Sequence, residues 1–267
     1  MPVIEAAGLR LAYEEYGSGE PVLLIPPAAT RGRVWAMHQI PAIVAAGYRA
    51  ILMDSRGTPP SSVPCAPFRL ADLAADAAGV ITGLGLAPCR VIGASLGAMV
   101  GQELALARPD LVRGAALLGT RCRTDLLRGR FARAYAAALR RGDPASDLEA
   151  VMMVTQLFSA ATLVDDRLAA DWLALFQNFS VRGTGAAMQY EATIIADRTQ
   201  ALRQVSRPCL VMAFAGDTVT PPVLCREVAA AIPGCRYAEI TGCGHLGFLE
   251  RPEQVNDTLI DFFDVAE

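Results

Sequence analysis

The stretch Gly93-Ala94-Ser95-Leu96-Gly97 constrains this chain more than any other. The short apolar run 90–92 reads as a buried strand and residues 96–108 read as a helix, with Gly-x-Ser-x-Gly between them. A serine on so tight a strand-to-helix turn needs unusual backbone angles, and only residues without a Cβ can pass close beside it. Gly93 and Gly97 meet that need. Ser95 is thereby pushed out at the carboxyl end of a strand, and the Leu96 N–H, at a helix N-terminus, points into the same space. The arrangement suits a nucleophile beside a donor for a developing oxyanion. A glycine-rich turn with an incidental serine has the same pattern, so the rest of the chain must supply an acid and a base.

The surrounding pattern defines the fold class. Residues 22–25, 49–53, 90–92, 114–118, 209–213 and 236–240 read as strands, most of them mainly apolar, and residues 9–15 as an early antiparallel strand. Helical stretches lie at 34–46, 70–84, 96–108, 222–231 and 252–263. Strands alternating with helices at this spacing imply an α/β fold, a mostly parallel twisted sheet with helices on both faces. The pattern breaks after residue 120. Residues 121–202 contain no convincing strand, and helices are expected near 125–141, 146–158, 165–178 and 184–196. The expected organisation is a core of 1–120 and 203–267 interrupted by a helical block of 121–202.

The search for a base is short, because the chain has two histidines, His38 and His245. Lysine is absent, which excludes a Schiff-base or catalytic lysine and a Walker-type phosphate loop. His38 lies in an expected helix beside Trp35 and reads as a packing or pocket-rim residue. His245 sits in Gly242-Cys243-Gly244-His245-Leu246, just after the last strand. Asp217 sits in Gly216-Asp217-Thr218, just after the strand at 209–213. Chain order is Ser95, Asp217, His245, the order of a nucleophile–acid–base set on such a sheet. His245 then takes the Ser95 proton and Asp217 holds the imidazole tautomer. Taken alone, Asp217 also suits the N-cap of the 222–231 helix, and His245 a surface loop; Asp125 is a rival acid.

At this point the chain resembles the α/β-hydrolase superfamily. The resemblance rests on 22–25 with its loop, Asp54-x-Arg56-Gly57, Gly93-Ala94-Ser95-Leu96-Gly97, Gly216-Asp217 with Pro221, and Gly244-His245 through Glu250-Arg251-Pro252. It looks most like capped members that include esterases, enol-lactonases and cofactor-free haloperoxidases. The resemblance implies that 121–202 is a helical cap that sets the substrate. It also implies an oxyanion hole shared between the Leu96 and Ala28 N–H groups. Such relatives place His-Gly after the early strand, where this chain has Pro26-Pro27, and neither proline has an N–H to donate. Ala28 must carry that role, with Ala29 N–H or the Thr30 hydroxyl as helpers, and the aim of the hole stays open. Asp54 and Arg56 are expected to form a buried network that stabilises their turn.

The expected substrate pocket comprises Ala29, Thr30, Met153, Phe158, Trp172, Phe176, Met188 and Leu246. Its apolar character implies a mostly apolar, medium-sized acyl or polyketide-like small molecule, free or linked to CoA or a carrier protein. The seven arginines between Arg121 and Arg141 read as a solvated face or as an anion-docking surface. A net charge of −3 gives no reason to expect nucleic acid as a partner. The seven cysteines lack metal-ligand spacing and read as reduced thiols. No metal and no cofactor are expected. No apolar run reaches the roughly 18 residues of a membrane span, and the start lacks a signal-peptide pattern, so a cytoplasmic monomer or homodimer is expected. The arginine-only basic set suits a bacterial biosynthetic enzyme. Three functions fit. The first is serine hydrolysis of an ester, lactone or thioester. The second is cofactor-free elimination by the Ser95–His245 pair, acting as a lyase that expels a carboxylate. The third is a non-catalytic ligand receptor.

Overall fold

The computed structural model describes residues 1–265. Eight strands form one sheet: β1 (Val3–Ala6), β2 (Leu9–Tyr16), β3 (Pro21–Ile25), β4 (Arg49–Met53), β5 (Cys89–Ala94), β6 (Val112–Leu118), β7 (Cys209–Phe214) and β8 (Arg236–Ile240). Their order across the sheet is β1-β2-β4-β3-β5-β6-β7-β8. The pairs β1–β2 and β2–β4 are antiparallel and every later pair is parallel. β5 and β7 are buried along their whole length. Strands covered on both faces read as near-continuous apolar runs, broken in β5 only by the buried Arg90, which is why these central strands stand out in the sequence.

Helices cover both faces. Helices Leu70–Gly83, Leu96–Ala107 and Pro222–Ala231 pack a core that includes Leu23, Val91, Leu117 and Val211. On the opposite face, Gln39–Ala45 and Pro252–Val265 enclose Trp35, Phe214, Phe248 and Phe263. Each such aromatic or aliphatic side chain contributes ~1.5–3 kcal/mol on burial. Between β6 and β7 the chain is helical: Leu126–Arg140, Asp147–Leu157, Ala160–Leu163, Asp166–Phe179, Thr184–Ala192 and Thr199–Leu202. None of the described helices is long and apolar enough to cross a membrane.

Three expectations shift. The helix expected at 34–46 is a 3-10 turn, Gly32–Ala36, followed by Gln39–Ala45. Pro41 explains the break, because proline lacks an N–H and is tolerated only in a helix's first turn. The helix expected at 184–196 stops at Ala192, where the β-branched run Thr193-Ile194-Ile195 begins and the Thr193 hydroxyl bonds back to Tyr190 O at 2.7 Å. The edge strand β1 was not foreseen; its four residues turn into β2 through Ala7 and Gly8, both at positive φ.

Candidate active site

Ser95 sits at φ +53°, ψ −114°, between β5 and helix Leu96–Ala107. The closeness of this turn is measurable. A Cβ on Gly93 would lie 2.1 Å from Gly97 O, and one on Gly97 would lie 2.1 Å from Ile25 O. Neither position accepts a side chain. The Ser95 N–H donates to Leu118 O at 2.9 Å, which fixes the elbow to β6. Its side chain faces a cavity of about 1150 Å³ that is also lined by His245.

His245 and Asp217 are both buried, and His245 Nδ1 lies 2.7 Å from Asp217 Oδ2. The carboxylate also accepts from Val219 N–H and Thr220 N–H at 2.8 Å each and from the Thr220 hydroxyl at 2.7 Å. Burial works against the charge on Asp217, but the adjacent imidazole and these hydrogen bonds outweigh it and hold its pKa below the ordinary value. An ionised carboxylate only accepts, so Nδ1 donates to it, and the neutral tautomer this selects is the one whose lone pair is on Nε2. Gly119 (φ +56°) makes room for the pair, since a Cβ there would lie 3.3–3.4 Å from His245 and Asp217 atoms.

Among the described residues, neither the Leu96 N–H nor the Ala28 N–H has a protein acceptor. The expected helpers are committed elsewhere. Ala29, at φ +53°, donates its N–H to Gln189 Oε1 at 2.6 Å, and the Thr30 hydroxyl donates to Ala28 O at 3.1 Å. Gln189 is fully buried and also donates to Arg56 O at 2.7 Å and Thr58 Oγ1 at 2.9 Å.

Ala29, Thr30, Met153, Phe158, Trp172, Phe176 and Leu246 line the cavity. Phe158 and Trp172 stack at 4.3 Å. Met188 does not line it: its side chain is 5 % exposed and packs with the core on one face of the sheet. The rival acid Asp125 caps helix Leu126–Arg140, accepting from the Arg128 N–H at 2.9 Å and pairing with Arg128 NH1 at 2.5 Å. Arg56 pairs with Asp76 through two bonds of 2.5 and 2.6 Å, not with Asp54, which instead accepts from Gly32 N–H at 2.7 Å. His38 precedes helix Gln39–Ala45, and its carbonyl accepts from Asn256 at 3.2 Å.

Sequence reasoning missed four contributors: Gln189, Thr220, Glu250 and the burial of Arg121. Glu250 lay inside the quoted His245 motif, and Arg121 stands three residues past the end of β6 at the same sheet edge. Gln189 has no local signal, because its three partners are more than 130 residues away. The arginine-rich stretch splits accordingly. Arg123 and Arg140 pair with Glu227 and Glu191, Arg130, Arg133 and Arg141 are exposed, and Arg121 lies inside.

The matching model of the alpha/beta hydrolase family spans residues 22–258, and the chain belongs to that family. It is a hydrolase by membership, and such enzymes act on small molecules. Mycobacterium tuberculosis BpoC, which bears the name of a non-heme bromoperoxidase, is 41 % identical over 96 % of this chain and 98 % of its own length. Its crystal structure superposes with a TM-score of 0.90, at 40 % identity and 96 % coverage of both chains. RutD of Azorhizobium caulinodans, named as a carbamate hydrolase, is 29 % identical over 98 % of each. The enol-lactonase of Burkholderia xenovorans LB400 matches with a TM-score of 0.87 and 25 % identity, over 98 % of this chain and all of its own.

Proposed function

We propose that the chain is a serine-nucleophile hydrolase of an ester, lactone or thioester whose acyl part is mostly apolar and of medium size. Ser95 attacks the carbonyl while His245 Nε2 takes its proton. Asp217 holds the imidazole and stabilises the imidazolium. The Leu96 and Ala28 N–H groups receive the oxyanion. His245 then protonates the leaving group and activates water to cleave the acyl-enzyme. Residues 121–202 act as a cap whose aromatic and methionine side chains close the cavity over Ser95. The observation that carries this reading is the buried 2.7 Å His245–Asp217 pair opening on the same cavity as a serine at positive φ. The relatives named for lactone and carbamate hydrolysis support acyl transfer as the shared chemistry.

Intact-mass analysis with a fluorophosphonate, alongside turnover of a p-nitrophenyl ester, tests it. Wild type should gain one adduct on Ser95. Ser95→Ala should gain none and lose at least ~10³-fold in turnover. Undiminished turnover by Ser95→Ala would refute the reading. An adduct without turnover of simple esters would move elimination ahead of hydrolysis.

A further inference from the structure

Five arginines line the cavity that holds Ser95 and His245: Arg31, Arg33, Arg121, Arg128 and Arg182. No Asp or Glu appears among the described lining residues. Three of the five are already neutralised, Arg33 by Glu14, Arg128 by Asp125 and Arg182 by Glu149. Arg31 is exposed at the rim. Arg121 differs from all of them. It is 5 % exposed, has no carboxylate within ion-pair distance among the described residues, and donates from NH2 to Thr193 O at 3.0 Å, while its buried Nε has no acceptor. The carboxylates nearest in effect, Asp125 and Asp217, have their oxygens engaged by Arg128 and by His245 and Thr220. A buried cation is tolerated when an anion and hydrogen bonds compensate its lost hydration. Here the protein supplies one carbonyl.

Its position matters as much as its charge. Arg121 lies two residues beyond Gly119, which packs on the His245–Asp217 pair, so its Cα is within ~7 Å of Gly119 along the chain. The Gln102 amide fixes this turn by bonding Thr120 Oγ1 at 2.6 Å and Arg121 O at 3.2 Å. Arg121, Ser95 and His245 line the same cavity, so a group held by Arg121 shares that space with a carbonyl at Ser95.

We infer that Arg121 is the receptor for a carboxylate carried by the substrate, so that the enzyme's preferred ester or lactone is an anion with an otherwise apolar chain. The planar guanidinium suits a carboxylate, no described acidic side chain lines the cavity to repel one, and the apolar remainder of the cavity accommodates the chain. The inference rests on the hydrolase reading and narrows its substrate class.

The test compares p-nitrophenyl hexanoate with the mono-p-nitrophenyl ester of adipic acid, which has the same chain length and adds a terminal carboxylate. Wild type should favour the adipate ester in kcat/KM. That preference should fall tenfold or more in Arg121→Met. Arg121→Lys, which keeps the charge and loses the planar fork, should give an intermediate preference. Calorimetry with Ser95→Ala protein measures hexanoate against hexanamide without any turnover, and hexanoate binding should be lost when Arg121→Met is added. A wild type that prefers the neutral ester, an unchanged preference in both Arg121 variants, or equal binding of hexanoate and hexanamide would overturn the inference. Stronger inhibition by hexyl phosphate than by hexanoate would overturn the carboxylate assignment. Fluorophosphonate labelling of Ser95 reports the parent reading separately. If Arg121→Met does not fold, Arg121→Lys and the calorimetry on Ser95→Ala protein, hexanoate against hexanamide, decide.

Discussion

Ala29 shows how a single residue can be held in a costly conformation for the sake of its neighbour. An alanine at φ +53° is strained, and such strain persists only where surrounding contacts over-determine it. Two contacts do so. Gln189 accepts the Ala29 N–H at 2.6 Å, and the Val181 N–H donates to Ala29 O at 3.2 Å. The Ala28 N–H, proposed to receive the oxyanion, is thus aimed by a glutamine with no role in the chemistry. Gln189→Met keeps the side chain's length and removes all three hydrogen bonds. We expect kcat to fall ~10- to 100-fold, less than the ~10²–10³ of losing an oxyanion donor outright. KM for a neutral ester should stay within about twofold, because an interaction made only in the transition state lowers kcat and kcat/KM together. Steady-state kinetics on folded variant protein, verified by circular dichroism, measures the split. A rise in KM with kcat intact would show that Gln189 shapes the cavity and does not aim the donor.

At the scale of elements, the helical segment between β6 and β7 does more than cover the sheet edge. It bonds to the loops that carry Ala28, Asp217 and His245. Gln189 holds the Ala29 and Arg56–Thr58 loops, Arg128 Nε donates to Val219 O at 2.6 Å beside Asp217, and Leu157 O accepts the Leu246 N–H at 3.0 Å beside His245. Glu250 completes the clamp on His245. It accepts from Gly244 N–H at 2.6 Å on one oxygen, and from Ser159 N–H, the Ser159 hydroxyl and the Thr162 hydroxyl on the other. Glu250→Gln turns one of those acceptors into a donor that must face a donor, at a cost of ~1–3 kcal/mol. Urea unfolding should show that loss, and amide exchange at Gly244 should accelerate; exchange as slow as in wild type would remove Glu250 from the clamp. These clamps also mark the limit of what the sequence reveals. The elbow, the Asp217 and His245 loops and the central strands were legible, because glycine spacing and apolar runs are local signals. Gln189, the inward turn of Arg121 and the bonds from Glu250 to Ser159 and Thr162 were not, because those partners are distant in sequence. Met188 was misplaced for a related reason: an apolar residue on a helix does not disclose which of two neighbours it packs against.

For the whole molecule, the balance of buried charge predicts how stability follows pH. Most of the ion pairs join an arginine to an exposed or half-buried carboxylate and contribute little each. The buried carboxyls decide the profile. Asp217 has a depressed pKa, so the stability it contributes is present above the ordinary carboxylate value and is lost as pH falls through its lower folded value. Asp54 works in the opposite sense. Its side chain is fully buried, one oxygen accepts from Gly32 N–H, and the other has no partner. Burial raises its pKa, the Gly32 bond only partly opposing this. The folded state therefore holds the Asp54 proton more tightly than the unfolded chain, and this carboxyl costs stability increasingly as pH rises from about 4 through its raised folded value. Asp54→Asn keeps an acceptor for Gly32 and removes the charge. Its melting temperature should exceed that of wild type by a few degrees at pH 8, and the two should converge as the buffer approaches pH 4. Thermal unfolding across that range measures the difference. A constant gap at every pH would mean that Asp54 acts through shape and hydrogen bonding, and that its buried charge is compensated in the folded protein.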